Sequence, residues 1–174
     1  MSRDILFYLA AREKPKSKTA LLKTMYDEEY AKQWISNHLS RKDTFRTKYL
    51  EPTLRKEIQN LPAKSKILDI GCGWGTIIEF LKDSQEYVGV DPTKEFFPYI
   101  RSKFSRNKIN LIVGKLPNKL RVAGKFDFVI CSLAIHCTKY LKDSVKTIFS
   151  KLKDVTTVHH HIINLVYYLF LYLM

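Results

Sequence analysis

The apolar and polar positions divide the chain into a helical first third, a middle in which short apolar runs alternate with helical segments, and an uncharged end. Between residues 18 and 61, apolar side chains recur at helical spacing among charges: Leu21, Leu22, Met25 and Tyr26, then Tyr30, Trp34 and Ile35, then Tyr49, Leu50, Leu54, Ile58 and Leu61. This pattern predicts two or three amphipathic helices, with Pro52 in the first turn of the last one and Pro62 at its end. Tyr26, Tyr30 and Trp34 share one helix face, as a core stripe or as a lid over a ligand. Further on, residues 67–70, 87–90, 109–113 and 126–131 are short apolar runs that read as buried strands. Ile77, Ile78, Phe80 and Leu81 form a brief helix between the first two. Residues 140–152 form an amphipathic helix with Leu141, Val145, Ile148, Phe149 and Leu152 on one side. Alternating strands and helices predict an α/β domain with a doubly wound, mainly parallel sheet, preceded by a helical cap.

Composition narrows this picture only in part. A chain of 174 residues with 45% hydrophobic content can bury one core of its own. The formal charge of +13 favours acidic partners, nucleic acid or an anionic membrane surface, and speaks to encounter rather than to reaction. Eight of the basic residues (Arg101, Lys103, Arg106, Lys108, Lys115, Lys119, Arg121 and Lys125) fall between Glu95 and Asp127 with no acid among them. Segment 101–125 is thus a solvated face or a contact surface for RNA or an anionic membrane. Cys72, Cys131 and Cys137 have no metal-ligand spacing and no signal-peptide pattern precedes them, so a cytoplasmic setting and small, buried thiols are expected, with no metal. The basic arm around REKPKSK could be a targeting presequence, a reading weakened by Asp4 and Glu13.

The chemistry concentrates where the first strand ends. Gly71, Gly73 and Gly75 follow Ile67, Leu68 and Ile70, and glycines there let the backbone turn sharply and approach a ligand. Thr76 opens the next helix. Asp91 closes the second strand, where a carboxylate can accept both hydroxyls of a ribose, so strand, glycine loop, helix, strand and acid together describe a site for a nucleoside-containing cofactor. A dinucleotide fingerprint would read GxGxxG, whereas the spacing here is GxGxG.

With Asp69 in front and Cys72, Gly73 and Trp74 inside, the string ILDIGCGWGT closely resembles motif I of class I S-adenosylmethionine-dependent methyltransferases. The resemblance runs from about Tyr49 to Lys153 and includes GVD at Gly89 to Asp91 and KFDFVICSLAIHCT at Lys125 to Thr138. It implies S-adenosylmethionine as cofactor, a Rossmann-like core over residues 62–154 behind an arm and cap at 1–61, and methyl transfer, with a small molecule as the expected acceptor. Cofactor contacts are then expected from Asp69, Gly71, Cys72, Gly73, Trp74 and Gly75 at the methionine end and from Asp91 at the ribose. Lys115, Leu116 and Ser132 would surround the adenine. His136 is the candidate base. Lys115 departs from the family pattern, since relatives often place there an acid that accepts from the adenine amino group, and a lysine cannot.

A second departure is the end of the chain. Relatives continue with a fifth strand and an antiparallel hairpin, whereas residues 155–174 contain no Asp, Glu, Lys or Arg. Part of 155–166 reads as a fifth strand. The dense apolar run 162–174 is short for a membrane span, so the tail could instead lie on a bilayer or meet a protein partner, or be a replaced or truncated end. His159, His160 and His161 are adjacent and splay apart in any regular element. Two rival readings follow: a cofactor- or RNA-binding module that has lost catalysis, and a membrane-associated interaction protein using the tail.

Overall fold

The structure, a computed structural model, describes residues 27–40, 44, 46–105, 108–132 and 134–153. Helix α1 (Glu28–Leu39) is followed by a wide helical turn at Arg46–Leu50 and by α2 (Glu51–Asn60). Pro52 lies in the first turn of α2, as expected. Leu61, pushed to an extended conformation by the proline after it, ends that helix. Tyr26 and the other residues before Asp27 lie outside the described residues, as does the tail from Asp154 onward, with its expected fifth strand and its membrane-associated reading. Among the described residues no helix is long and apolar enough to cross a membrane.

Strands β1 (Lys66–Ile70), β2 (Glu86–Asp91), β3 (Ile109–Val113) and β4 (Phe128–Ile130) form one sheet, parallel throughout, in the order β3-β2-β1-β4. That is the doubly wound order over the strands described. The brief helix expected after the glycines is a 3-10 helix spanning Thr76–Phe80. The chain then turns at once into β2, because the Gln85 side chain accepts from Lys82 N at 3.0 Å and its amide donates to the carbonyls of Ile58 and Pro62. Helix α3 (Phe97–Lys103) precedes β3, and α4 (Leu141–Phe149) follows β4. Beyond α4 the backbone returns parallel to the start of β4: Phe126 N donates to Lys151 O at 2.8 Å and Lys153 N to Phe126 O at 2.9 Å.

Alternation along the strands sends side chains to two cores. Ile67, Tyr87, Phe128 and Ile130 meet Leu54 and Ile58 of α2, Ala31 of α1 and Ile100 of α3 on one face, so the cap and the sheet share a core. Leu68, Ile70, Val90 and Val129 meet Leu120, Val122, Ile148 and Leu152 on the other. Each fully buried aliphatic side chain contributes about 1.5 to 3 kcal/mol. Both cores end near the carboxyl ends of the strands, where open α/β sheets bind ligands.

Candidate cofactor site

The glycine loop is built by the end of β1 turning back on β2. Gly71 N and Cys72 N both donate to Val90 O, at 2.7 and 3.1 Å, and Gly75 N closes the loop onto Cys72 O at 2.9 Å. At Gly71 a side chain would collide with Ala134 Cβ, so only glycine lets the loop following β4 come this close. Gly73 has φ +51°, and a Cβ there would meet open space, so no side chain stands between its backbone and whatever the loop holds.

Asp91 ends β2 beneath this loop. Its Oδ2 accepts from Gly73 N at 2.9 Å and its Oδ1 from Thr93 N at 2.8 Å. Burial raises its carboxyl above the ordinary range, and those two backbone N–H groups pull against the rise. Asp91 therefore fixes the loop as well as standing where the sequence places a ribose partner.

Asp69, also buried, precedes the loop and accepts from the Tyr87 hydroxyl at 2.9 Å. Burial above all, and the neighbouring Asp91 with it, push its carboxyl up to about 7 against the Tyr87 hydrogen bond and the Arg46 charge, which lower it. Burial also raises the Cys72 thiol well above its usual value and that of Cys131 to about 12. Such thiols are poor nucleophiles. Cys131 is half-buried and Cys137 exposed, so the expected burial of both is only partly met.

The cap reaches the loop through aromatic rings. Trp74, buried, stacks on Trp34 of α1 at 5.9 Å between centroids and meets Phe96 edge-on at 6.2 Å, while Tyr30 meets Trp34 and Phe96 at 6.0 and 6.3 Å. Tyr30 and Trp34 of the predicted stripe thus pack against the core and over the loop at once. Arg46, which sequence reasoning missed, lies with its guanidinium 4.8 Å from the Trp74 ring centroid and within electrostatic reach of Asp69. It stands in a turn with no motif around it, and only the folding of the cap over the loop brings it here.

The remaining predicted residues lie around the other strand ends. Lys115, exposed, is tied to Lys119 by reciprocal backbone bonds of 3.2 and 3.1 Å, and Leu116 is half-buried against the second core. Ser132 follows β4 with its Oγ shielded from solvent and without a partner among the described residues, a hydroxyl for which a bound ligand could supply the missing bond. Ile135–Cys137 form a 3-10 turn that includes the His136 backbone, while the His136 side chain lies outside the described residues. Among the described residues no group of three or more His, Cys, Asp or Glu side chains could hold a metal.

Residues 67–157, just over half the chain, match the family described as a methyltransferase domain. The chain belongs to the methyltransferase-domain family. Its fold is the class I, Rossmann-like one and its cofactor is S-adenosylmethionine. Solved methyltransferase structures share the fold. Similar to this chain is the Haloferax volcanii protein described as a methyltransferase and solved with the Trm112 methyltransferase activator, at 15% identity over 72% of this chain and 55% of that one, with a TM-score of 0.57. CalS10, an amino pentose methyltransferase from Micromonospora echinaspora solved with S-adenosylmethionine bound, is 17% identical over 68% of this chain and 51% of its own, TM-score 0.52. The YcgJ protein from Bacillus subtilis is 24% identical over 59% and 47%, also with a TM-score of 0.52. The chain therefore spans about half the length of these structures. No curated protein matches it.

Proposed function

We propose that this methyltransferase acts on a small-molecule acceptor and holds its cofactor at the glycine loop. The observation that supports the reading is the Trp34–Trp74 stack, which packs α1 against the glycine loop. The residues present fit S-adenosylmethionine: a Gly73 with open space where a side chain would stand, a carboxylate at Asp91 for the ribose, Asp69 for the ammonium group and a shielded hydroxyl at Ser132. Arg46 is assigned to the methionine carboxylate. When bound, the cofactor supplies a methyl group already activated on a sulfonium, so the chain's own residues have mainly to align the acceptor and exclude water. His136 is proposed as the base for acceptors that arrive protonated.

Calorimetric titration with S-adenosylmethionine tests this site; absence of binding by folded protein at millimolar ligand rejects it. Arg46→Gln is expected to weaken binding about tenfold or more, through loss of a charged hydrogen bond to the ligand. A second reading takes RNA as the acceptor. It is favoured by the exposed Lys115, Lys119, Arg121 and Lys125, of which the first two stand directly opposite each other across a bridge, like charges that an anion would relieve. Under that reading RNA affinity falls steeply with added salt, and charge reversal at Lys115 and Lys119 weakens it; a flat salt response rejects RNA.

A further inference from the structure

In the parallel pairing of β1 and β2, Gly89 stands opposite Asp69, and Tyr87 stands two positions earlier on the same face. A Cβ at position 89 would lie 2.9 Å from Tyr87 Cε1 and 3.0 Å from Cys72 Sγ. The missing side chain leaves room for the tyrosine ring to lean along the strand, so that its hydroxyl reaches Asp69 Oδ2 at 2.9 Å. Both residues are nearly inaccessible, at 1% and 4% exposure. One neutral donor offsets only part of the cost of burying a carboxylate charge, and a second acid, Asp91, lies close enough to disfavour that charge further.

We propose that Tyr87 is a positioning residue that orients the buried Asp69 carboxyl at the head of the glycine loop, and that S-adenosylmethionine, on binding, displaces to solvent the proton which that buried acid carries. The inference rests on the assignment of Asp69 to the ammonium end of the cofactor. The balance is simple: the O–H bond of the Asp69 carboxyl breaks, the proton leaves to buffer, and an N–H of the ligand's ammonium becomes the new donor to the carboxylate. The cofactor carries two positive groups and one negative, so it brings the net positive charge that the buried acid lacks.

The groups facing Asp69 come from several elements: Tyr87 and Asp91 from β2, Cys72 from the loop, Arg46 from the turn before α2 and Cys131 from the end of β4. Burial holds Tyr87, Cys72 and Cys131 neutral through the relevant range. Asp91 is raised as well, so its share of any linkage has to be separated from that of Asp69.

The test is titration with S-adenosylmethionine at about pH 6 in phosphate and in bis-Tris, two buffers of different ionisation enthalpy, repeated up to about pH 7.5, below the range where an α-amine such as the ligand's own titrates. The expected result is a buffer-dependent heat equal to release of close to one proton at the acid end. Affinity should rise about tenfold per pH unit toward about 7 and then level off. Asp69→Asn releases no proton, which assigns the effect to Asp69 rather than Asp91. Tyr87→Phe removes a bond that lowers the Asp69 value, so its affinity falls about tenfold at pH near 6.5 and recovers toward wild type as pH rises; a merely structural role would lower affinity by one factor at every pH. Equal heats in the two buffers with S-adenosylmethionine bound would overturn the inference and leave the cofactor site standing. No binding at any pH would overturn both.

Discussion

Asp91→Ala is expected to lower the affinity for S-adenosylmethionine by roughly 10- to 150-fold, corresponding to about 1.5 to 3 kcal/mol for charged hydrogen bonds to ribose. The structure adds a second consequence that ribose chemistry alone does not imply. Asp91 accepts from Gly73 N and Thr93 N at 2.9 and 2.8 Å, and alanine leaves both donors unpaired at a position only 6% exposed. An orphaned buried donor costs about 1 to 3 kcal/mol, so the variant should also melt several degrees lower and hold its glycine loop less firmly. Thermal melting beside calorimetric titration separates the two effects. A folded Asp91→Ala protein that binds S-adenosylmethionine as tightly as wild type would show that the ribose is held elsewhere.

Asp69→Asn should do the opposite to stability while still weakening the hold on S-adenosylmethionine. The Asp69 carboxyl is held by burial at about 7 in the folded chain. Below the ordinary carboxylate value it is neutral in both folded and unfolded chains. As pH rises from about 4 to about 7 the unfolded chain ionises first, so stability is withdrawn across that window and stays withdrawn above it. Each pH unit between the two values is worth on the order of 1.4 kcal/mol, so at pH 8 wild type carries a penalty of a few kcal/mol that asparagine does not. Asparagine keeps an oxygen for the Tyr87 hydroxyl. The variant is therefore expected to melt higher than wild type at about pH 8, with the gain vanishing near pH 4, and to bind S-adenosylmethionine at least tenfold more weakly. Equal melting temperatures at both pH values would mean that Asp69 is better solvated than its 4% exposure implies.

Much of this site is legible in the sequence because its chemistry is local. Glycine spacing, the strand before it and the acid at the end of the next strand all depend on short-range conformation and on a crossover connection that has one favoured hand. The limits predicted for β3 agree with the structure, Ile109–Val113. Other features were hidden for an equally physical reason. The brief helix predicted from Ile77, Ile78, Phe80 and Leu81 is present, but its 3-10 form was not legible: the Gln85 side chain, bonded to the end of α2, draws the chain into β2 directly after it. Strand β4 is shorter than its apolar run, because Phe126 pairs with Leu152 outside the main ladder.

By itself the sequence determined the fold class and pointed to the cofactor and a candidate loop for it, because periodicity, glycine conformational freedom and the placement of one carboxylate are properties of neighbouring residues. The tertiary structure alone decided how that loop is supported. Tyr87 reaches Asp69, 18 residues away, only in the parallel register that sets Gly89 opposite the acid, and Trp34 and Arg46 meet Trp74 only once the cap folds over the sheet. Burial then moves the proton on Asp69, and burial is a property of the packed molecule that no local pattern carries. ILDIGCGWGT points to the cofactor, and the packing of the cap and β2 around Asp69 sets the charge of the candidate site.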